Sequence, residues 1–206
     1  DRHHLQARRR PAGRTQSALR VAAGREIDDP RLAADRAAAL RVFNLESKAI
    51  GELANVLDER FTRALDMLIR AKGRVIVSGM GKSGHIANKI AATLASTGTP
   101  AFFVHPAEAS HGDIGMVTKD DAVIAISNSG ETHELSDLIA HTRRFGIPLI
   151  GITARATSSL AENADVTLIL PRAQEACPIG LAPTTSTTMT LALGDAIAIA
   201  LMERRG

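Results

Sequence analysis

The chain has no tryptophan, no tyrosine and a single cysteine, Cys177, among 206 residues. One cysteine excludes an intramolecular disulfide framework and fits a reducing compartment, so a cytoplasmic location is expected. Five phenylalanines are the only aromatic residues, which leaves little for bases to stack on. The sequence pattern shows no apolar run approaching the ~20 residues of a membrane span. Basic charge is also scarce outside one segment. Residues 1–25 hold seven arginines against one acid, leaving 18 Lys and Arg against 21 Asp and Glu beyond them. That remainder is slightly acidic, with no basic stripe to neutralise a phosphate backbone, so neither nucleic acid nor membrane is an expected partner.

What is present is a chain that is 45% hydrophobic, enough for one good core. Residues 1–30 read as a disordered Arg-rich extension rather than a transit peptide, because Pro11 and Gly13 interrupt them and they lack apolar periodicity. Residues 31–206 read as a single domain. From Leu32 to Ala71 apolar residues recur in steps of three, four and seven: Phe43, Ile50, Leu53, Leu57, Phe61, Leu65 and Leu68. This predicts helix, broken near Asp58 as an N-cap, with a surface suited to packing on the sheet or to an oligomer contact.

After Gly73 the pattern changes to short β-branched runs alternating with helical stretches. Strands are predicted at Arg74–Ser78, Ala101–Val104, Ala122–Ser127, Leu149–Thr153 and Val166–Leu170. Helices are predicted at Ser83–Ala95, Glu131–Phe145, Ser158–Asn163 and Thr185–Arg204. Alternating β and α with apolar strands means an α/β fold with a parallel sheet covered on both faces. Right-handed crossovers favour a five-stranded doubly wound sheet in the flavodoxin-like order 2-1-3-4-5. In that order the loops after strands 1 and 3, SGMGKSG (78–84) and SNSGET (127–132), flank the ligand crevice.

The first loop imitates two nucleotide signatures. Gly79, Gly81 and Gly84 spell GxGxxG, but a dinucleotide site needs an acid at the end of strand 2, where this chain has His105-Pro106. Gly81-Lys82-Ser83 ends like a P-loop, but the required first glycine falls at Ile76. A small anion or sugar phosphate remains, with Gly81 and Ser83 approaching it and Lys82 supplying charge. Ser127, Asn128, Ser129, Gly130 and Thr132 offer hydroxyls and an open backbone before a helix, the chemistry of a monophosphate cradle. The plain alternative is an ordinary Ser/Thr cap. The run Thr184–Thr188 opens the last helix as a cap or as a further wall of the site.

Together, SNSGET, GMGKSGH, FFVHPAEASHGDIGMV (102–117) and EACPIGLAPTTSTT (175–188) resemble the sugar isomerase (SIS) domain family, D-arabinose 5-phosphate isomerase type, from about residue 40 to Gly206. The resemblance implies interconversion of D-ribulose 5-phosphate and D-arabinose 5-phosphate for 3-deoxy-D-manno-octulosonate and lipopolysaccharide synthesis. It implies a cytoplasmic bacterial homotetramer with no required metal or organic cofactor. Ser127, Ser129 and Thr132 match the family's phosphate loop, and Lys82, His111, Glu134 and Glu175 match positions tied to its active site. The family pattern continues past Gly206 with a His-Pro-Gly-Gly string and often a pair of CBS domains, so low activity is an expectation for these residues alone.

The chemistry stands beside the resemblance. Moving a proton between C1 and C2 through a cis-enediol needs one group to act as base and then acid, and a cation or donor at the oxygens. Glu175 is the expected shuttle, with Lys82 or His111 polarising oxygens or assisting ring opening. Other residues have plainer readings. Glu131 complements a helix dipole, His85 and His105 are hydrogen-bonded neighbours of the site, His133 and His141 lie on a helix surface, and Cys177 is a packed thiol. Spacings of 20 and 6 among His85, His105 and His111 give no metal pattern. The rival function is a non-catalytic, sugar-phosphate-binding regulatory module, although residues 1–72 show no clear DNA-reading helix pair. A third reading, isomerisation of a six-carbon sugar phosphate, would use the same cradle.

Overall fold

The structure, a computed structural model, describes residues 29–206. The Arg-rich segment therefore lies, except for Asp29 and Pro30, outside the described residues. Residues up to Leu40 belong to one unit and Arg41–Gly206 to another. The described part of the first unit is the opening of helix α1 (Pro30–Val56), where Asp29 folds onto Arg31 in an exposed ion pair of 3.0 Å.

In the second unit, Asp58 ends the helical stretch as expected. Its carboxylate accepts the Arg60 N–H at 2.9 Å and caps α2 (Glu59–Arg70). The sheet then follows as β1 (Val75–Gly79), β2 (Ala101–Phe103), β3 (Ala122–Ile126), β4 (Leu149–Thr153) and β5 (Val166–Ile169). All pairings are parallel in the order β2-β1-β3-β4-β5, with Gly79 beside Ile126 at the carboxyl end of β1 and β3. The predicted fold class and strand order are those observed.

Strand periodicity explains why both faces are covered. Val75, Val77, Ile124 and Ile126 point to one side, where they pack with α2, α3 (Gly81–Ser96) and α7 (Thr185–Arg205). Ile76, Val123, Ala125 and Leu149 point to the other, against Leu135, Leu138 of α5 (Ser136–Phe145) and Leu160 of α6 (Ser159–Asn163). Each fully buried Leu or Ile contributes about 1.5–3 kcal/mol through removal from water.

Three local differences from expectation have physical causes. A short helix α4 (Pro106–Ser110) follows β2, started by Pro106 and by His105, whose Nδ1 accepts the Ala107 N–H at 3.2 Å. The predicted helix over Glu131–Phe145 becomes regular only at Ser136, after a 3₁₀ turn over His133–Leu135. Gly130 has φ +70° and Thr132 is extended at φ −66°, ψ 110°, so the backbone leaves helical geometry before His133 while Ser127 and Ser129 accept the Gly130 and Glu131 N–H groups. Third, α7 is long and apolar enough to cross a membrane, contrary to the reading of the sequence; half of that stretch is buried inside this fold. Gly194 lets α7 lie directly on Ile90 of α3, as expected of a core helix.

Candidate functional site

The glycines of the first loop serve contact between elements. A Cβ on Gly84 would stand 2.5 Å from the Gly79 carbonyl oxygen, so only glycine lets α3 start this close to the end of β1. That close start brings Ser83 to the crevice. A cavity of about 200 Å³ is lined there by Ser83, Asn128, Glu175, Ser186, Thr187 and Thr190, together with the loop at Gly180–Pro183. The two loops predicted to face each other therefore share one cavity with Glu175, and the threonine-rich run forms a wall of it.

The second loop folds around its own hydroxyls. Ser127 is buried, and its Oγ accepts the Gly130 N–H at 3.0 Å while sharing a 2.7 Å hydrogen bond with Thr132 Oγ1. Ser129 is exposed; its Oγ lies 3.5 Å from that of Ser127 and accepts the Glu131 N–H at 3.1 Å. Since that bond uses a lone pair, the Ser129 O–H remains available to donate to a ligand. Gly130 has φ +70°, and a Cβ there would run into Ser158, so backbone conformation and space both require glycine.

Glu175 is half-buried between β5 and α7. Its Oε2 accepts the Thr184 N–H at 2.6 Å, the Thr184 O–H at 2.9 Å and the Ser186 N–H at 3.4 Å. The carboxylate thus caps α7. Burial pushes its pKa upward, but the hydrogen bonds from Ser186 and Thr184 outweigh that and hold it below the usual value. Thr184, expected as a cap itself, instead binds this carboxylate and accepts the Ala176 N–H at 2.8 Å.

Three further candidates stay at the surface. Lys82 lies in the first turn of α3 beside Ser83, His111 follows α4, and Glu134 sits in the 3₁₀ turn after the hydroxyl loop. Gly81 opens α3 with φ +56°. Among the described residues no side-chain hydrogen bond or ion pair holds Lys82, His111 or Glu134, so each is free to move toward a ligand. Among the same residues no three His, Cys, Asp or Glu side chains converge as metal ligands would.

Several features were not visible in the sequence. Glu131 does not face its own helix; its carboxylate accepts the Ser159 N–H at 2.8 Å and the Ser159 O–H at 2.6 Å, at the start of α6. His141 is half-buried rather than on an open surface, with Nε2 2.8 Å from the Val117 carbonyl oxygen. Cys177 is only partly covered, and the N–H groups of Ala182, Ile179 and Leu181 draw its pKa below the usual thiol value. The partners of Glu131 and His141 lie 28 and 24 residues away, and no local pattern signals them.

The SIS domain family model matches residues 67–200. The chain is similar to the arabinose 5-phosphate isomerase KdsD of Pseudomonas aeruginosa, with 58% identity over 168 residues, covering 82% of this chain and 52% of that protein. It is also similar to the arabinose 5-phosphate isomerase KdsD of Escherichia coli K12, with 56% identity over 165 residues, covering 80% and 50%. The chain thus spans about half the length of these curated relatives. Among solved structures, E. coli CFT073 c3406 in complex with arabinose 5-phosphate superposes with a TM-score of 0.80 at 43% identity, covering 87% of this chain and 94% of that one.

Proposed function

The chain belongs to the SIS domain family, and from that premise we propose that it is an aldose–ketose isomerase interconverting D-ribulose 5-phosphate and D-arabinose 5-phosphate. The observation that carries this reading is the shared cavity. Ser83 and Asn128 from the two crevice loops line one cavity with Glu175, and Asn128 stands in the same loop as the hydroxyl cluster of Ser127, Ser129 and Thr132. Asn128 joins this cavity to the hydroxyl loop, whose Thr132 lines a neighbouring cavity of about 360 Å³; an acid–base group next to a phosphate donor set suits a phosphorylated sugar whose reacting carbons lie a few bonds from its phosphate.

In this mechanism the Ser129 and Thr132 hydroxyls and nearby loop amides hold the phosphate. Glu175, through the oxygen that the helix cap leaves free, takes the proton from C1 of the ketose. The electron pair forms the C1–C2 double bond of the enediolate, and the proton returns at C2 to give the aldose. Lys82 supplies positive charge to the developing oxyanion, and His111 or Glu134 assists ring opening and proton exchange between the oxygens.

The same reading makes the protein a cytoplasmic homotetramer whose product feeds 3-deoxy-D-manno-octulosonate and lipopolysaccharide synthesis. Self-association is supported by Phe43, Ile50 and Leu57, spaced seven residues apart and exposed by 63%, 40% and 46%. The test is direct: incubate the chain with ribulose 5-phosphate in deuterated water. Arabinose 5-phosphate carrying deuterium at C2 is the expected product. Binding without turnover, both by this chain and by one extended through the family's His-Pro-Gly-Gly segment, would replace the enzyme with a sugar-phosphate-binding module, and no binding would end both readings.

A further inference from the structure

The hydroxyl loop is held from behind by the segment that joins β4 to α6. The Ala154 N–H and the Thr153 O–H donate to the Asn128 carbonyl at 3.1 and 3.2 Å, and the Leu160 N–H donates to the Gly130 carbonyl at 3.0 Å. These contacts use the loop's backbone and would survive most side-chain changes. One attachment is different. Glu131 alone among the loop's side chains reaches across to that segment, and both its carboxylate oxygens are engaged by Ser159.

This pairing has an exposed location but two well-formed, charge-assisted hydrogen bonds, whose partner N–H belongs to the first turn of α6. It also continues toward the ligand. The Glu131 N–H donates to Ser129 Oγ, so the side chain that Ser159 fixes belongs to the residue whose amide orients the Ser129 hydroxyl. With one lone pair of Ser129 committed to that amide, its O–H can turn to a ligand or to Ser127 Oγ 3.5 Å away, and the amide fixes where the oxygen stands.

We infer that Glu131 is a positioning residue for phosphate recognition: its clasp on Ser159 fixes the Glu131 amide, and through it the Ser129 hydroxyl, before the ligand arrives. The inference deepens the proposed function and rests on phosphate being held by this loop. In this reading Glu131 acts through Ser129, which makes the contact with phosphate. Its lowered pKa, caused first by the Ser159 hydroxyl bond and then by the Ser159 amide, keeps it an acceptor throughout the neutral range. The physical effect is preorganisation: a loop already ordered gives up less freedom on binding.

The experiment measures arabinose 5-phosphate affinity by calorimetry for the unaltered chain, Glu131→Ala, Glu131→Gln, Ser129→Ala and the double variant Glu131→Ala with Ser129→Ala. Glu131→Ala should weaken binding about tenfold, as expected for two charge-assisted hydrogen bonds that act only indirectly. Glu131→Gln, whose amide oxygen accepts from the Ser159 N–H and whose NH₂ donates to the Ser159 hydroxyl, should bind within about twofold of the unaltered chain. Because the clasp acts through Ser129, Glu131→Ala should cost little more once Ser129 is alanine, an interaction that a general loss of structure would not produce. Equal affinity of the unaltered chain and Glu131→Ala overturns the inference alone, as does full additivity in the double variant. No binding by the unaltered chain overturns the functional reading and this inference together.

Discussion

Glu175 Oε2 accepts the backbone N–H of Thr184 at 2.6 Å, which places a carboxylate on the first turn of α7 and at the edge of the Ser83–Asn128 cavity at once. Oε2 takes all the hydrogen bonds from Thr184 and the Ser186 amide, at the positive end of the helix dipole. The residue proposed as the acid–base group thereby also holds the start of the last helix.

The pH dependence follows from that link. Glu175 is held ionised to lower pH in the folded chain than in the unfolded one, so its contribution to stability is present above the unfolded pKa. It is lost as pH falls through the lowered folded pKa. Glu175→Gln should therefore be less stable than the unaltered chain near pH 7, with the difference shrinking in acid. Urea titrations at several pH values check this. The acid limb of kcat/KM should likewise lie below the ordinary carboxylate range, and a limb above that range would remove Glu175 as the base.

Ser127 and Ser129 should separate into two behaviours. Ser127 is buried and bonded to Gly130 and Thr132, so Ser127→Ala should destabilise the free protein by about 1–3 kcal/mol. Ser129 is exposed, and Ser129→Ala should change free stability by no more than about 0.5 kcal/mol while weakening sugar-phosphate binding. Together they should abolish the rise in Tm produced by arabinose 5-phosphate. A shift that survives both substitutions would place the phosphate elsewhere.

Lys82 offers a test of catalysis apart from binding. Lys82→Met should retain most of the ligand-induced rise in Tm and lose about 100-fold or more in kcat, as for removal of one group that stabilises a transition-state charge. Loss of affinity with kcat unchanged would make Lys82 a phosphate ligand instead.

The contact between α7 and α3 should be sensitive to a single methyl group. A Cβ on Gly194 would overlap Ile90, so Gly194→Ala should cost about 1–3 kcal/mol through overpacking. Ile90→Val in the same chain should recover part of that cost, because the two side chains share the strained contact. Denaturation midpoints of the four chains in the cycle measure this, and full additivity would show that the overlap is relieved elsewhere.

Much of the fold was legible because it rests on periodicity and chirality. The runs at Ile76, Val123 and Ile150 are short, β-branched and apolar on both faces, as covered parallel strands are, and right-handed crossovers then limit the strand order to few choices. The crevice loops were legible for the same reason, since a switch between β1 and β3 places them side by side. Helix starts were less so: the run from Glu131 was expected to be helical, but Thr132 is extended and the regular helix begins only at Ser136.

By itself, then, the sequence determined the α/β order, the crevice and the hydroxyl-rich loop, because each follows from residue type at short spacing. Only the tertiary structure decided that Glu131 belongs to Ser159, that Glu175 caps α7, and that His141 meets the Val117 carbonyl. These outcomes depend on which distant groups the chain path brings within about 3 Å, the range in which a hydrogen bond forms. A carboxylate has the same letter in the sequence whether it meets solvent, a helix end or a serine, and packing alone selects among them.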